Sequence, residues 1–269
     1  MILLAALGTA SPSTLAQKPS QTEEASGSRT VKEAGVTFVY DLADFGRMTV
    51  SKERKWTAQD NGDGVPVGIT PAHNCFVLED KRPLPALEQG GRYFFPTQSF
   101  VCVIPLADPS VKNFGRAYPD LDAAARALRG ILRKRPKNFG RGGALPDMPY
   151  IEARQSFRSK LQYLDFRSVS GLAFVTQYGQ DMTPSPANNE ELTFNFQGLT
   201  RDGRYYVAAR FAITHPSLPK GIDFTDDSNL DKGLRYLKRD EKMLDKLPEA
   251  SFRPSLKSLK ALLASITVE

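Results

Sequence analysis

Three consecutive stretches between residues 172 and 213 carry side chains that change character with period two, and they restrict the fold more than any other feature of the chain. Leu172, Phe174, Thr176 and Tyr178 alternate with Ala173, Val175 and Gln177. Leu192, Phe194 and Phe196 alternate with Thr193, Asn195 and Gln197. Tyr205, Val207, Ala209, Phe211 and Ile213 alternate with Tyr206, Ala208, Arg210 and Ala212. Successive side chains of a strand point to opposite faces, so each stretch predicts a strand. Short links between them predict an antiparallel meander with one apolar and one mixed face. Asp202-Gly203 is the signal of a two-residue type I′ hairpin loop. That loop pairs Leu199 with Tyr206 and Asn195 with Arg210, and sets Phe194 and Phe196 on the face of Tyr205, Val207 and Phe211.

Further strands are predicted at 36–40, 75–78 and 100–104. Pro119-Asp120-Leu121 opens a helix whose apolar stripe is Leu121, Ala124, Ala125, Leu128 and Leu132, and Pro136 ends it. Two more helices close the chain. One spans 229–247 with Leu230, Leu234, Leu237, Met243, Leu244 and Leu247 apolar; the other spans 254–266 with Leu256, Leu259, Leu262 and Leu263. The composition, 41% hydrophobic and 25% charged, suits an ordinary globular core. With no internal repeat or linker in sight, the expectation is one α+β domain over 36–269: an antiparallel sheet with a C-terminal meander, packed with three helices.

The apolar run Met1-Ile2-Leu3-Leu4-Ala5-Ala6-Leu7 and the small-x-small site Thr14-Leu15-Ala16 predict a signal peptide over 1–16. Residues 17–35 are polar and contain no apolar cluster, so a disordered leader is expected there. No other stretch has the length of a transmembrane helix, so no integral membrane segment is expected. The mature protein is then extracytoplasmic, periplasmic or secreted, where Cys75 and Cys102 can oxidise. They either form a disulfide or stand as two inert, buried thiols.

Catalytic chemistry has little to stand on. The chain has two histidines, His73 and His215, and no Gly-x-Ser-x-Gly elbow. His73 lies two residues from Cys75, on one face if the segment is extended, but a disulfide to Cys102 removes that thiol as a nucleophile. His215, before Pro216, reads as a strand end. Asp60-Asn61-Gly62-Asp63-Gly64 has the wrong residues at the first and last ligand positions for a calcium loop, and reads as a turn. Asp227 and Ser228 read as helix caps, and Gly140-Arg141-Gly142-Gly143 as a loop. No catalytic residue, metal site or cofactor is expected.

Two binding features remain. On the mixed face of the meander, Gln177, Asn195, Gln197, Tyr206 and Arg210 can converge, either to orient a polar ligand or to be satisfied beneath a terminal helix. Arg126, Arg129 and Arg133 share one helical face, followed by Lys134, Arg135, Lys137 and Arg141, in a chain of net charge +6. This is a solvated face or a contact for an anionic envelope component. Nucleic acid is not expected for an exported chain.

The wording from Lys160-Leu-Gln-Tyr-Leu-Asp-Phe through Phe174-Val-Thr-Gln-Tyr-Gly-Gln-Asp to Phe196-Gln-Gly-Leu-Thr-Arg-Asp-Gly-Arg-Tyr-Tyr-Val resembles a family of uncharacterised exported bacterial proteins. The resemblance extends through His215-Pro-Ser-Leu-Pro and Phe252-Arg-Pro-Ser-Leu and is most specific at Phe-Gln-Gly-Leu-Thr. Many members look like lipoproteins, whereas this sequence lacks the lipid-bearing cysteine. The sheet followed by a terminal helix is also similar to PsbP/Mog1-like proteins at the level of fold. Neither likeness implies an activity. Two function classes follow: a non-catalytic extracytoplasmic binding or envelope-associated protein, and an extracellular hydrolase with a scattered site.

Overall fold

The computed structural model describes residues 27–57, 69–81, 98–107, 120–137, 139, 145–151, 153–179, 186–221 and 230–269. The expected signal peptide over 1–16, the leader up to residue 26, the 60–64 turn, the 227–228 caps and the glycines of the 140–143 loop lie outside those residues.

The alternating stretches form the meander they predict. Strand β7 (Ser159–Asp165) pairs antiparallel with β8 (Val169–Thr176), β8 with β10 (Thr193–Thr200), and β10 with β11 (Tyr205–Ala212). The sheet continues through β5 (Ser99–Pro105) and β4 (His73–Asp80) to β3 (Phe45–Glu53). Among the described residues it has seven strands in the order β3-β4-β5-β11-β10-β8-β7, all antiparallel. Two short strands, β6 (Arg154–Gln155) and β9 (Tyr178–Gly179), pair beside it.

The hairpin register is the predicted one: Leu199 faces Tyr206 and Asn195 faces Arg210. The turn itself differs. A type I′ loop needs positive φ at both central residues, and at this turn only Gly203 has it, at 70°. The Gly203 N–H instead donates to the Thr200 carbonyl at 2.9 Å, and the Asp202 carboxylate accepts from Thr200 Oγ1 and the Arg204 N–H. The loop is thus four residues, 201–204. Loops of two and four residues about the same centre give the same register, which is why the pairing survives the change of turn. The two-residue turn with positive φ at both centres occurs elsewhere, at Ala34 (52°) and Gly35 (73°).

That turn joins β1 (Ser28–Glu33) to β2 (Val36–Asp41). Strand β1 falls in the segment expected to be disordered, so order begins by residue 28 rather than 36. Its sequence gives little warning, since only Val31 is buried. The strand is held by its ladder to β2 rather than by apolar surface of its own. The last residues of the chain, β12 (Thr267–Val268), add a third strand to the other edge of β2.

Both faces of the large sheet are covered. On one, Phe76, Val101, Val175, Phe194, Phe196, Val207 and Phe211 pack against Phe38 and Tyr40 of β2 and the apolar stripe of helix α3 (Leu256–Ala264). Leu237 and Leu244 of helix α2 (Leu230–Lys246) join the same core. Leu234 does not follow its expected stripe and is 44% exposed. On the other face lies helix α1 (Leu121–Lys134), against β8 and β10. Asp120 caps it by accepting from the Ala123 N–H, and Arg135 ends it in a left-handed conformation. Leu121, Ala125 and Leu128 meet Phe174, Leu172 and Ala208 of the sheet. None of the helices among the described residues is long and apolar enough to cross a membrane.

Phe-Gln-Gly-Leu-Thr acquires a structural meaning here. Gly198 faces Gly171 across β8–β10, and the ring of Phe196 lies over the pair. A Cβ on Gly198 would come within 2.5 Å of Phe196 Cε1. Gln197 points to the opposite face, Leu199 joins the core under α1, and Thr200 bonds within the turn.

Candidate functional site

The mixed face of the meander brings four of its five candidates together. Register sets Asn195 opposite Arg210 and Gln197 opposite Ala208, with Tyr206 one step along. The Arg210 Nε–H donates to Asn195 Oδ1 at 3.1 Å, as does the Tyr178 hydroxyl. The Tyr206 hydroxyl donates to Gln197 Oε1 at 2.7 Å. Gln177 is elsewhere. Phe174 is opposite Asn195, so with period two Tyr178 shares their face and Gln177 does not. Gln177 bonds the Pro186 carbonyl and the Asn188 N–H.

Asp147 closes the cluster, and sequence reasoning missed it. Its carboxylate accepts from Arg210 Nη2 at 3.2 Å and from Gln197 Nε2 at 3.1 Å. Gln197 also accepts from the Met148 N–H at 2.9 Å and donates to the Met148 carbonyl at 3.2 Å, fastening that segment to the sheet much as a strand neighbour would. The Arg210 guanidinium lies over the rings of Tyr178 (4.8 Å) and Phe100 (5.3 Å). Asn195, Gln197, Tyr206 and Arg210 are all buried. The cover is α1 and the 145–148 segment, rather than a terminal helix.

Burial pushes the Asp147 carboxyl above its ordinary value, against the opposing pull of Arg210, Tyr178 and Gln155. Burial and the nearby Asp147 charge push the Tyr178 hydroxyl well up, and Tyr206 likewise. These groups are bonded to one another and to backbone. An ion pair so enclosed is held by its hydrogen bonds, and removing one partner typically costs about 3–5 kcal/mol. The arrangement clamps a loop to a sheet.

The second candidate, the basic face, is solvent-facing. Arg126, Arg129 and Arg133 are exposed on the side of α1 away from the core, with Arg126 bonded to Asp122 one turn back. Arg135 bonds Asp165 and lies over the Tyr163 ring.

The cysteines meet. Cys75 of β4 stands opposite Cys102 of β5, with Cα atoms 4.0 Å apart and sulfurs bonded at 1.99 Å. His73, on the same face, is 8% exposed. Its Nδ1 is 2.8 Å from the Pro71 carbonyl, which fixes the proton on Nδ1. Its Nε2 is buried and has no partner among the described residues. A lone pair left so costs about 1–3 kcal/mol. Burial lowers the His73 pKa.

His215 follows the end of β11 and is held on both ring nitrogens. Nδ1 accepts from the Ser217 N–H at 3.1 Å, so Nε2 carries the proton and donates to Ser251 Oγ at 2.9 Å. Ser251 in turn donates to the Pro248 carbonyl. Burial and the charge of Arg253 lower the His215 pKa.

Comparison of the chain with protein-family models, curated proteins and solved structures finds no match.

Proposed function

We propose that this is a non-catalytic, extracytoplasmic protein that associates with an anionic component of the cell envelope through the basic face of α1. The observation that carries the reading is the division of α1 into two sides. Leu121, Ala125 and Leu128 are buried, while Arg126, Arg129 and Arg133 are exposed along a single face. Three guanidiniums in a row suit phosphate or carboxylate groups, to which arginine bonds in fork geometry. The non-catalytic part draws on the polar cluster: Asn195, Gln197, Tyr206 and Arg210 spend their bonds on Asp147, Tyr178 and backbone. The extracytoplasmic part draws on the Cys75–Cys102 pair, since disulfides persist in oxidising compartments.

Fractionation of bacteria expressing the full gene tests this. Wild-type protein is expected with the envelope fraction and is released by high salt. The Arg126→Gln/Arg129→Gln/Arg133→Gln variant is expected in the soluble extracytoplasmic fraction. Equal envelope retention of both, or confinement of both to the cytosol, overturns the reading.

A further inference from the structure

We infer that His73, Cys75 and Cys102 form a redox-gated site for a thiophilic cation such as Zn2+, closed while the cysteines are bonded and open when they are reduced. The inference is independent of the α1 face and rests on where the strands place three ligand-type atoms. A ring nitrogen of His73 and the two sulfurs all lie within 4.8 Å of one another, and all three residues are buried. His73 and Cys75 are two apart on β4, so they share a face, and the β4–β5 register brings Cys102 directly across.

The imidazole is the second, independent observation. Metal-bound histidines commonly give their other ring N–H to a backbone carbonyl, which fixes the tautomer and aims the free nitrogen. His73 is held in that way. Nδ1–H is committed to the Pro71 carbonyl at 2.8 Å, and Nε2 is left with a buried, unpartnered lone pair. Directly across β3–β4 from it stands Glu53, whose charge acts on the imidazole and favours a cation there.

With the disulfide closed, the sulfurs are poor ligands, because the thiolate is the species that binds metal. Opening requires a dithiol reductant. Its thiolate attacks one sulfur, the Cys75–Cys102 bond breaks, and the reductant leaves as its own disulfide. Two electrons and two protons pass to the cysteines. Cys75, at 6% exposure against 1% for Cys102, is the more exposed of the two residues. The sheet holds the strands in register, so after reduction the two thiols remain neighbours. A divalent cation then takes two thiolates and Nε2, releasing two protons to solvent while Nδ1–H stays in place. Two sulfurs and one imidazole suit zinc, with water as the fourth ligand.

The test uses the full chain in two states, oxidised and dithiol-reduced, with the reductant removed under anaerobic conditions. Each is titrated with Co2+, read by its near-ultraviolet sulfur-to-cobalt charge-transfer band, and then with Zn2+ by calorimetry. The reduced protein is expected to bind one ion with release of two protons, and the oxidised protein none. His73→Gln, reduced in the same way, should bind at least about tenfold more weakly, as loss of an oriented metal ligand predicts. Because reduction can loosen the fold, the Tm of the reduced protein is measured alongside. Zn2+ should raise it, and by less in His73→Gln. Absence of the charge-transfer band in the reduced protein overturns the inference. So does equal affinity, or an equal rise in Tm, in wild type and His73→Gln.

Discussion

Asp147 and Arg210 meet at 3.2 Å on the mixed face of the sheet, with side chains 14% and 4% exposed. Asp147 lies in a loop between two prolines, while Arg210 lies in the middle of a sheet strand, so their bond ties a loop segment to the face it covers. Asp147→Ala leaves the guanidinium buried and unpaired, and is expected to lower the unfolding free energy by about 3–5 kcal/mol. The paired replacement Asp147→Leu/Arg210→Met removes both charges and should recover a large part of that loss. Urea unfolding of the two single variants and the pair checks it. Additive losses would mean that the two groups do not act as a pair.

The glycine pair under Phe196 gives a second expectation. Gly198→Ala drives a methyl into the ring and is expected to cost about 1–3 kcal/mol, the usual range for overpacking. Phe196→Leu/Gly198→Ala should lose less than the sum of its single changes, because the smaller side chain leaves room for the new methyl. Thermal unfolding of the three variants reads the coupling.

His215 supplies a pH dependence. Its folded pKa is lowered, so below the ordinary value of about 6.5 the unfolded chain takes the proton more readily than the folded one. The stability this contributes is complete above about pH 6.5 and falls as the pH drops toward the lowered folded value. His215→Ala should therefore be less stable than wild type at pH 7, by about 1–3 kcal/mol for lost buried hydrogen bonds. It should also show a shallower decline on acidification. His73, lowered in the same direction, contributes to the slope that remains. Denaturant unfolding from pH 7 down to pH 5 measures both, and parallel slopes in wild type and variant would contradict the assignment.

What could be read in advance was whatever depended on local periodicity. The meander, α1 and the Leu199–Tyr206 register come from side-chain alternation, helical spacing and the centre of one loop. The turn at 200–203 escaped because Asp-Gly fits both a type I′ loop and the longer one that Thr200 Oγ1 stabilises. Strand β1 escaped because pairing with β2, rather than its own polar sequence, orders it. Gln177 departs from the expected face because strict alternation from Phe174 selects Tyr178 instead. Asp147 had no local signal at all, since its partners lie 50 and 63 residues away. The His73–Cys75 spacing was visible, but the orphaned Nε2 depends on the Pro71 carbonyl and on burial.

Association through α1 is tested most directly by partition of the oxidised protein onto vesicles of anionic phospholipid, with neutral vesicles and high salt as references. Each basic residue near such a surface contributes about 1 kcal/mol, screened as salt rises. Arg126 shares its charge with Asp122, so the Arg126→Gln/Arg129→Gln/Arg133→Gln variant is expected to bind on the order of tenfold to a hundredfold more weakly, with an unchanged Tm. Wild-type binding should vanish at high salt and on neutral vesicles. Equal partition of variant and wild type, or wild-type binding that ignores salt, would contradict the account.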